Sequence, residues 1–307
     1  MNKIYFSILQ LVFFIAAAPF FSGLITKVKN FLRMRKGQSI WQPYYNLAKL
    51  FSKGEVVSDT ASWIFRVTPF IVIASTLCAA ALIPLFIFYT SMNYAGDFLA
   101  LIFIFALGRF FLALSALDTG SPFGGMGSSR EMFISSLAEP AFCLVIFSLS
   151  LRFGSTSLAA LNVVQEAPFS AIIAGVALFL ITLAETSRIP VDNQETHLEL
   201  TMVHEAMILE YSGKSLALIE MAAYVKQMIS FFLIAQIVFP VAMLAAASLT
   251  QIILLGLWYL ARIIIVAVIV AVVEVSVAKM RLFRVADFLG FAFVLGVIAS
   301  ICAVLGV

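Results

Sequence analysis

The sequence predicts an all-α fold: a polytopic integral membrane protein with about eight transmembrane helices and an amphipathic helix on the cytoplasmic surface. Three observations predict it. Of the 307 residues, 63% are hydrophobic and only 11% charged, whereas a soluble domain carries roughly 25% charged residues. The mean hydropathy is +1.09, more apolar surface than a water-soluble fold of this size can hide. The apolar stretches are continuous and rich in Leu, Ile, Phe and Ala. They lack the alternation of a barrel strand, and in lipid the remaining way to satisfy every backbone group is the helix.

Each span follows from a run of roughly 20 apolar residues. The runs predict spans near 4–25, 65–88, 98–117, 131–151, 169–187, 220–244, 250–276 and 286–306, in one transmembrane domain over 1–307. The start imitates a secretory signal, with Lys3, an apolar run from Ile4 and then Ala16-Ala17-Ala18. Cleavage there would send the basic cluster Lys27, Lys29, Arg33, Arg35, Lys36, Lys49 and Lys53 outward, against the positive-inside rule, so a retained first span is expected. The uncharged run from Gln227 to Ala261 is too long for one helix and predicts a turn after Ala245–Ala247. With the basic cluster, Arg130, Arg188, Lys214, Lys279, Arg281 and Arg284 inside, both termini are expected outside.

Segment 40–52 reads as an amphipathic helix at the inner surface, with Trp41, Tyr44, Tyr45, Leu47 and Phe51 on its apolar side. Gln42 and Pro43 lie within it, and basic residues flank it near the headgroups. The formal charge of +3 is small and does not point to nucleic acid. Cys78, Cys143 and Cys302 lie singly in apolar runs, which predicts neither a metal cluster nor a disulfide framework. His204-Glu205 lacks the second His a zinc-protease motif requires, since position 208 is Ile. Gly124-Gly125-Met126-Gly127 is no nucleotide loop and reads as a flexible inner turn. No inverted repeat supports a free-standing transporter.

Function is expected where charge meets lipid. Arg109, Glu139, Lys226, Arg262 and Glu274 fall inside expected spans, each at a cost of about 2.5–3.5 kcal/mol near a helix centre. Both signs on several helices predict an internal polar axis. The stretch 185–213 is an acidic inner loop holding Glu185, Asp192, Glu195, Glu199, Glu205 and Glu210 against Arg188. Glu195 and Glu199 would share one side of a helical turn, and close like charges raise at least one carboxyl pKa, which suits proton uptake.

Three blocks of residues carry a resemblance. The first is Arg35-Lys36-Gly37-Gln38-Ser39-Ile40-Trp41-Gln42-Pro43 with Lys49-Leu50-Phe51. The second runs from Leu117-Asp118-Thr119-Gly120-Ser121-Pro122-Phe123 through Gly127-Ser128-Ser129-Arg130-Glu131 to Glu139-Pro140. The third holds Glu185-Thr186-Ser187-Arg188-Ile189-Pro190-Val191-Asp192, Glu195, Glu199-Leu200 and Glu210-Tyr211-Ser212-Gly213. Along nearly its whole length the chain resembles the membrane subunit shared by respiratory complex I (subunit 1, the H subunit) and group 4 membrane-bound nickel–iron hydrogenases. The second block is similar to the hydrogenase and formate hydrogenlyase branch (subunit 4-like).

The resemblance implies a subunit, not itself catalytic, of an oxidoreductase complex in the prokaryotic cytoplasmic (inner) membrane. It would anchor a peripheral redox arm and couple electron transfer to proton or sodium translocation. Its partners would be hydrogenase-like large and small subunits, a ferredoxin-like iron–sulfur subunit and antiporter-like membrane subunits. Those partners, not this chain, would hold the iron–sulfur clusters and the nickel–iron site. By carry-over, Glu139, Glu185, Asp192, Glu195, Glu199 and Glu210 are the coupling candidates, with Arg109, Arg130, Arg188, Lys226, Arg262 and Glu274 pairing or orienting them. Trp41, Gln42, Pro43, Tyr44 and Asp118 would form a docking surface or cavity. The alternative is the quinone-binding subunit of an NADH dehydrogenase (complex I)-like quinone reductase. Gly37-Gln38 where the family has Gly-Pro, Asn46 where Asp is common, and extra residues between Leu200 and Glu210 argue against a quinone site.

Overall fold

A computed structural model describes residues 2–58, 60–83, 97–162, 168–193, 202–240 and 249–306. The described residues are helical, with ten α-helices: α1 (Asn2–Leu32), α2 (Gln42–Ser52), α3 (Trp63–Leu82), α4 (Phe98–Asp118), α5 (Pro122–Phe153), α6 (Phe169–Glu185), α7 (His204–Ile208), α8 (Gly213–Val238), α9 (Leu249–Ser276) and α10 (Leu282–Leu305). Seven of them are long and apolar enough to cross a membrane, and α6 is a shorter apolar helix. The chain is a polytopic membrane protein. The far end of the expected 65–88 span, the end of 220–244 and the turn after Ala247 fall outside the described residues.

The most enclosed helix is α8, with 72% of its membrane window buried, against 28% for α10. Around it α1, α3, α6 and α9 pack on different sides, while α5 packs on α4, α6 and α10. The main core runs through Phe21, Phe98, Val145, Ile181, Phe231 and Val270. Outward faces such as Phe103, Phe110, Phe291 and Ile301 are apolar and exposed, the surface expected of helices solvated by lipid.

One end of the bundle gathers the connections that position the site. The Ser62 N–H donates to Asp118 Oδ2 at 2.8 Å, and Thr60 Oγ1 donates to the Thr119 carbonyl at 3.0 Å. Ser212 and Val56 exchange two hydrogen bonds of 2.9 Å each. The Met280 N–H donates to the Pro190 carbonyl at 2.8 Å. In this loop layer the segment before α3 is tied to those after α4 and before α8, and the segment after α6 is tied to that before α10.

Two expectations change here. The Gly124–Gly127 stretch is not a turn; it lies within α5, which begins at Pro122 rather than near 131. Ser121 caps it by accepting from the Gly124 N–H at 3.2 Å, and Pro122 supplies a preset first-turn backbone. Glycine there serves close packing: a Cβ on Gly124 would lie 2.4 Å from the Ala116 carbonyl oxygen, and one on Gly127 would lie 2.9 Å from Ala206 Cβ. Likewise α1 does not stop near 25 but runs to Leu32, so Lys29 is carried into the protein interior instead of joining the surface cluster.

Gly23 of α1 makes the tightest approach, since a Cβ there would sit 2.0 Å from the Ile40 carbonyl oxygen. Gly23→Val is expected to destabilise the protein by about 1–3 kcal/mol, the scale of overpacking. Gly125→Ala, with nothing within 4 Å of the new methyl, is expected to be neutral or stabilising by up to about 1 kcal/mol. Thermal denaturation in detergent checks both; equal melting temperatures would contradict the packing role of Gly23.

Candidate functional site: a buried charge network and two cavities

The site is built on Glu185, the last residue of α6. Its Oε1 accepts from Arg109 Nη1 of α4 at 2.5 Å, and its Oε2 from Lys226 Nζ of α8 at 2.7 Å. Arg109 extends its other amino group, Nη2, to Glu139 Oε1 of α5 at 2.9 Å. Arg109 and Lys226 both sit near the midpoints of long apolar helices, so this ladder lies deep in the bundle. It stops at an edge: the Arg109 side chain is 7% exposed, but that of Glu139 is 40% exposed on the outer face of α5.

Helix α6 ends at Glu185 because the next residues leave helical geometry. Ser187 takes a left-handed φ of 51°, and the Arg188 N–H closes the end on the Leu183 carbonyl at 2.9 Å. Residues 187–192 are then all buried. The sequence reading treats 185–213 as a loop facing the cytoplasm; the described portion after Glu185 instead turns into the protein. Irregular backbone of this kind is tolerated in a membrane protein where protein or a hydrated cavity satisfies it.

A second cluster forms on that segment. Arg188 donates to Gln227 Oε1 at 2.9 Å, to Glu274 Oε1 at 3.4 Å and to Ser22 Oγ at 3.5 Å. Lys29 Nζ reaches the other Glu274 oxygen at 2.7 Å. Asp192 is a four-way acceptor, taking Lys279 Nζ at 2.6 Å and the backbone N–H groups of Asn193, Val203 and His204 at 2.8, 3.1 and 3.2 Å. It pins the segment before α7 to the connection between α9 and α10.

Two cavities adjoin these clusters. The outer one, about 460 Å³, lies beneath α2 and is walled by Lys29, Asn30, Gln42, Asn46, Asp192 and Glu274, among others. The inner one, about 90 Å³, is walled by Arg109, Glu131, Glu185, His204 and Lys226, among others. One water needs about 10–15 Å³, and both spaces are polar enough to hold several. Ser187, Arg188 and Tyr224 line both, so they form the partition between them.

The remaining candidates are placed as follows. Arg130 Nη1 donates to the Met202 carbonyl at 2.8 Å and so braces α5 against the approach to α7. Glu210 is exposed and lines neither cavity. Arg262 lies in the interior at the end of α8, donating to Gln236 Oε1 at 3.2 Å and the Phe239 carbonyl at 2.5 Å, with its guanidinium 4.1 Å from the Tyr259 ring centroid. A cation at the carbonyl end of a helix is favourable there. Trp41 stacks loosely on Phe20 and Tyr44, with ring centroids 6.0 and 5.5 Å apart, while Tyr44 OH donates to the Ala16 carbonyl at 2.5 Å. Gln42 and Pro43 face the outer cavity, and Asp118 holds the start of α3. Glu195 and Glu199 lie outside the described residues.

Sequence reasoning passed over Lys29, Glu131, Gln227 and Lys279 as site residues. Lys29 carries no local signal, because its partner Glu274 lies far along the chain. Glu131 is 7% exposed and lines the inner cavity. Just outside the spans, burial pulls the His204 imidazole below its usual 6.5 and pushes the Glu205 carboxyl above its usual 4.5. Among the described residues, no group of three or more His, Cys, Asp or Glu is placed to hold a metal.

A family model described as NADH dehydrogenase matches residues 4–305. The chain belongs to that family. Among relatives, the chain is similar to "Hydrogenase-4 component C" of Escherichia coli (strain K12), 32% identical over 293 residues that cover 94% of this chain and 92% of the relative. It is also similar to "Formate hydrogenlyase subunit 4" of the same organism, 27% identical over 285 residues, 91% and 92% of the two chains. "NADH-ubiquinone oxidoreductase chain 1" of Thymallus arcticus is 29% identical over 222 residues, 68% of this chain and 66% of that one. The fold matches a chain in the structure of the membrane-bound sulfane sulfur reductase, an archaeal respiratory membrane complex. That match has a TM-score of 0.85 at 18% identity and covers 99% of this chain and 100% of that one.

The double pairing of Glu274 predicts an order of stabilities. Glu274→Gln leaves Lys29 and Arg188 as buried like charges and should cost about 3–5 kcal/mol. Lys29→Met leaves the contact between Arg188 and Glu274 in place and should cost distinctly less. Detergent melting curves measure the order, and the reverse order would contradict the geometry.

Proposed function

We propose that this chain is the membrane connector of a hydrogenase-type respiratory complex of the prokaryotic inner membrane, with both termini on the outer side. In this reading it seats a peripheral redox arm on its loop layer and couples electron transfer there to translocation of protons or sodium ions. The observation that carries the reading is the continuity of polar groups from the loop layer to the edge of α5. They run from the outer cavity past the Arg188 partition to the inner cavity, then through Glu185 and Arg109 to Glu139. A structural ion pair would end in the interior. This ladder instead ends on a half-exposed carboxylate at an outer helix face, where lipid is a poor solvent for it and a neighbouring membrane subunit is the natural cover.

Roles follow from the contacts. Glu185 is held by two cations and orders the ladder. Glu131 borders the same water-sized space with no described residue bonding its carboxylate, which suits uptake and release of a proton. Asp192, bound by four donors, acts as an anchor that transmits movement of the loop layer. Redox arm subunits with iron–sulfur clusters and a nickel–iron site, and antiporter-like membrane subunits, are the partners this arrangement calls for; the similarity to hydrogenase-4 and formate hydrogenlyase components supports them.

The quinone reading has one observation in its favour, the size of the cavity beneath α2. Its wall of amides, hydroxyls and paired charges favours water over a prenyl chain, and the relatives of greater coverage are the hydrogenase components.

In the reconstituted complex, Glu131→Gln and Glu139→Gln should each leave dye-linked hydrogen oxidation within about twofold of wild type. Proton movement should fall by about tenfold or more, the scale of losing one positioned proton-transfer group. Proteoliposome pH-dye assays read this, and unchanged coupling in both variants would overturn the proposal. A quinone-site photoaffinity label that modifies residues 37–51 and blocks turnover would favour the alternative.

A further inference from the structure

The inner cavity holds carboxylates and fixed cations, yet its walls contain one side chain whose ordinary titration falls near neutral pH. His204 opens α7 and lines this cavity. Its backbone N–H is fixed by Asp192 Oδ2 at 3.2 Å. Among the described residues no partner engages either ring nitrogen. A half-buried imidazole with no described partner at either nitrogen, beside a space large enough for several waters, can accept a proton on one nitrogen while the other donates.

Its surroundings are charged on every side. Glu205 is the next residue on its own helix, Asp192 belongs to the segment after α6, and Lys226 projects from α8; all three act on the imidazole electrostatically. Across the cavity stand Glu131 of α5, Glu185 of α6, Arg109 of α4 and the partition residue Arg188. Glu205 lies next to His204 but does not line the cavity, so the pair spans the wall.

We infer that His204 is the proton relay through which the loop layer exchanges protons with the inner cavity, an inference that rests on the coupling role proposed above. A proton arrives from Glu205, or from water beside it, at one ring nitrogen. The proton on the other nitrogen passes to cavity water and on to Glu131, and a tautomer shift resets the ring. Burial, reinforced by Lys226 and opposed by Glu205 and Asp192, holds the imidazole below its usual 6.5. The resting form at neutral pH is therefore the neutral acceptor, and it charges only as pH falls below that value.

The test uses the intact complex in proteoliposomes. His204→Gln should lower proton movement per electron by about tenfold or more while dye-linked hydrogen oxidation in detergent stays within about twofold. The coupled rate should also lose its dependence on pH on the acid side, a change a purely structural residue would not cause. In the wild-type complex, diethyl pyrocarbonate should modify His204 and block proton movement, with a labelling rate that holds to lower pH than that of a free imidazole, whose pKa is about 6.5, before it declines. Wild-type coupling in His204→Gln overturns the inference while leaving the connector reading intact. If that variant does not assemble, the labelling decides: an unmodified His204 at every pH overturns the relay. A wild-type complex that moves no ions during turnover overturns both.

Discussion

The structure depends on one carboxylate held between two cations inside an apolar bundle. Glu185 joins Arg109 of α4 to Lys226 of α8. In a low-dielectric interior a single uncompensated charge is costly, and removing one partner of such a group strands the others. The carboxylate therefore ties the three helices together, and loss of any one partner would strand the rest. Helix α6 ends at this residue with Ser187 in the left-handed region, and the chain that follows runs through the protein instead of over its surface.

That early ending has consequences for the rest of the fold. A buried irregular segment needs partners for its backbone and side chains. Here Asp192 takes four donors and Arg188 spreads over Gln227, Glu274 and Ser22. Helices cannot pack tightly against such a segment, and the space left over becomes the two cavities separated by Ser187, Arg188 and Tyr224. Close glycine contacts at Gly23 and Gly127 bring α2 and α7 against this layer. A shift of the loops would thus act directly on the partition.

Much of this was legible in the sequence. Continuous apolar runs indicated the class and most spans, since lipid leaves the backbone few alternatives, and charges inside those runs marked Arg109, Lys226, Arg262 and Glu274 as interior. Glu139, marked the same way, instead lies half-exposed at the edge of α5. What periodicity cannot show is where a helix stops for tertiary reasons. The apolar run around 169–187 does not reveal that Ser187 turns left-handed or that residues up to Asp192 are buried. Helix α5 was legible from Ser121-Pro122, a cap followed by a first-turn proline, but its glycines resemble a turn until their packing partners are known. Lys29 looked like one more surface cation because its partner, Glu274, lies far along the chain. Arg262, which the sequence marks only as an interior cation, serves the end of α8.

In the proposed connector, Glu131 changes protonation when the redox arm turns over. Redox-induced infrared difference spectroscopy of the intact complex, in the carboxyl stretching region, tests it most directly. The expected result is a carboxyl band that appears or disappears with the redox state and is lost when Glu131 is replaced by Gln. A difference spectrum with no carboxyl band, or with one the replacement leaves untouched, would contradict the assignment of Glu131.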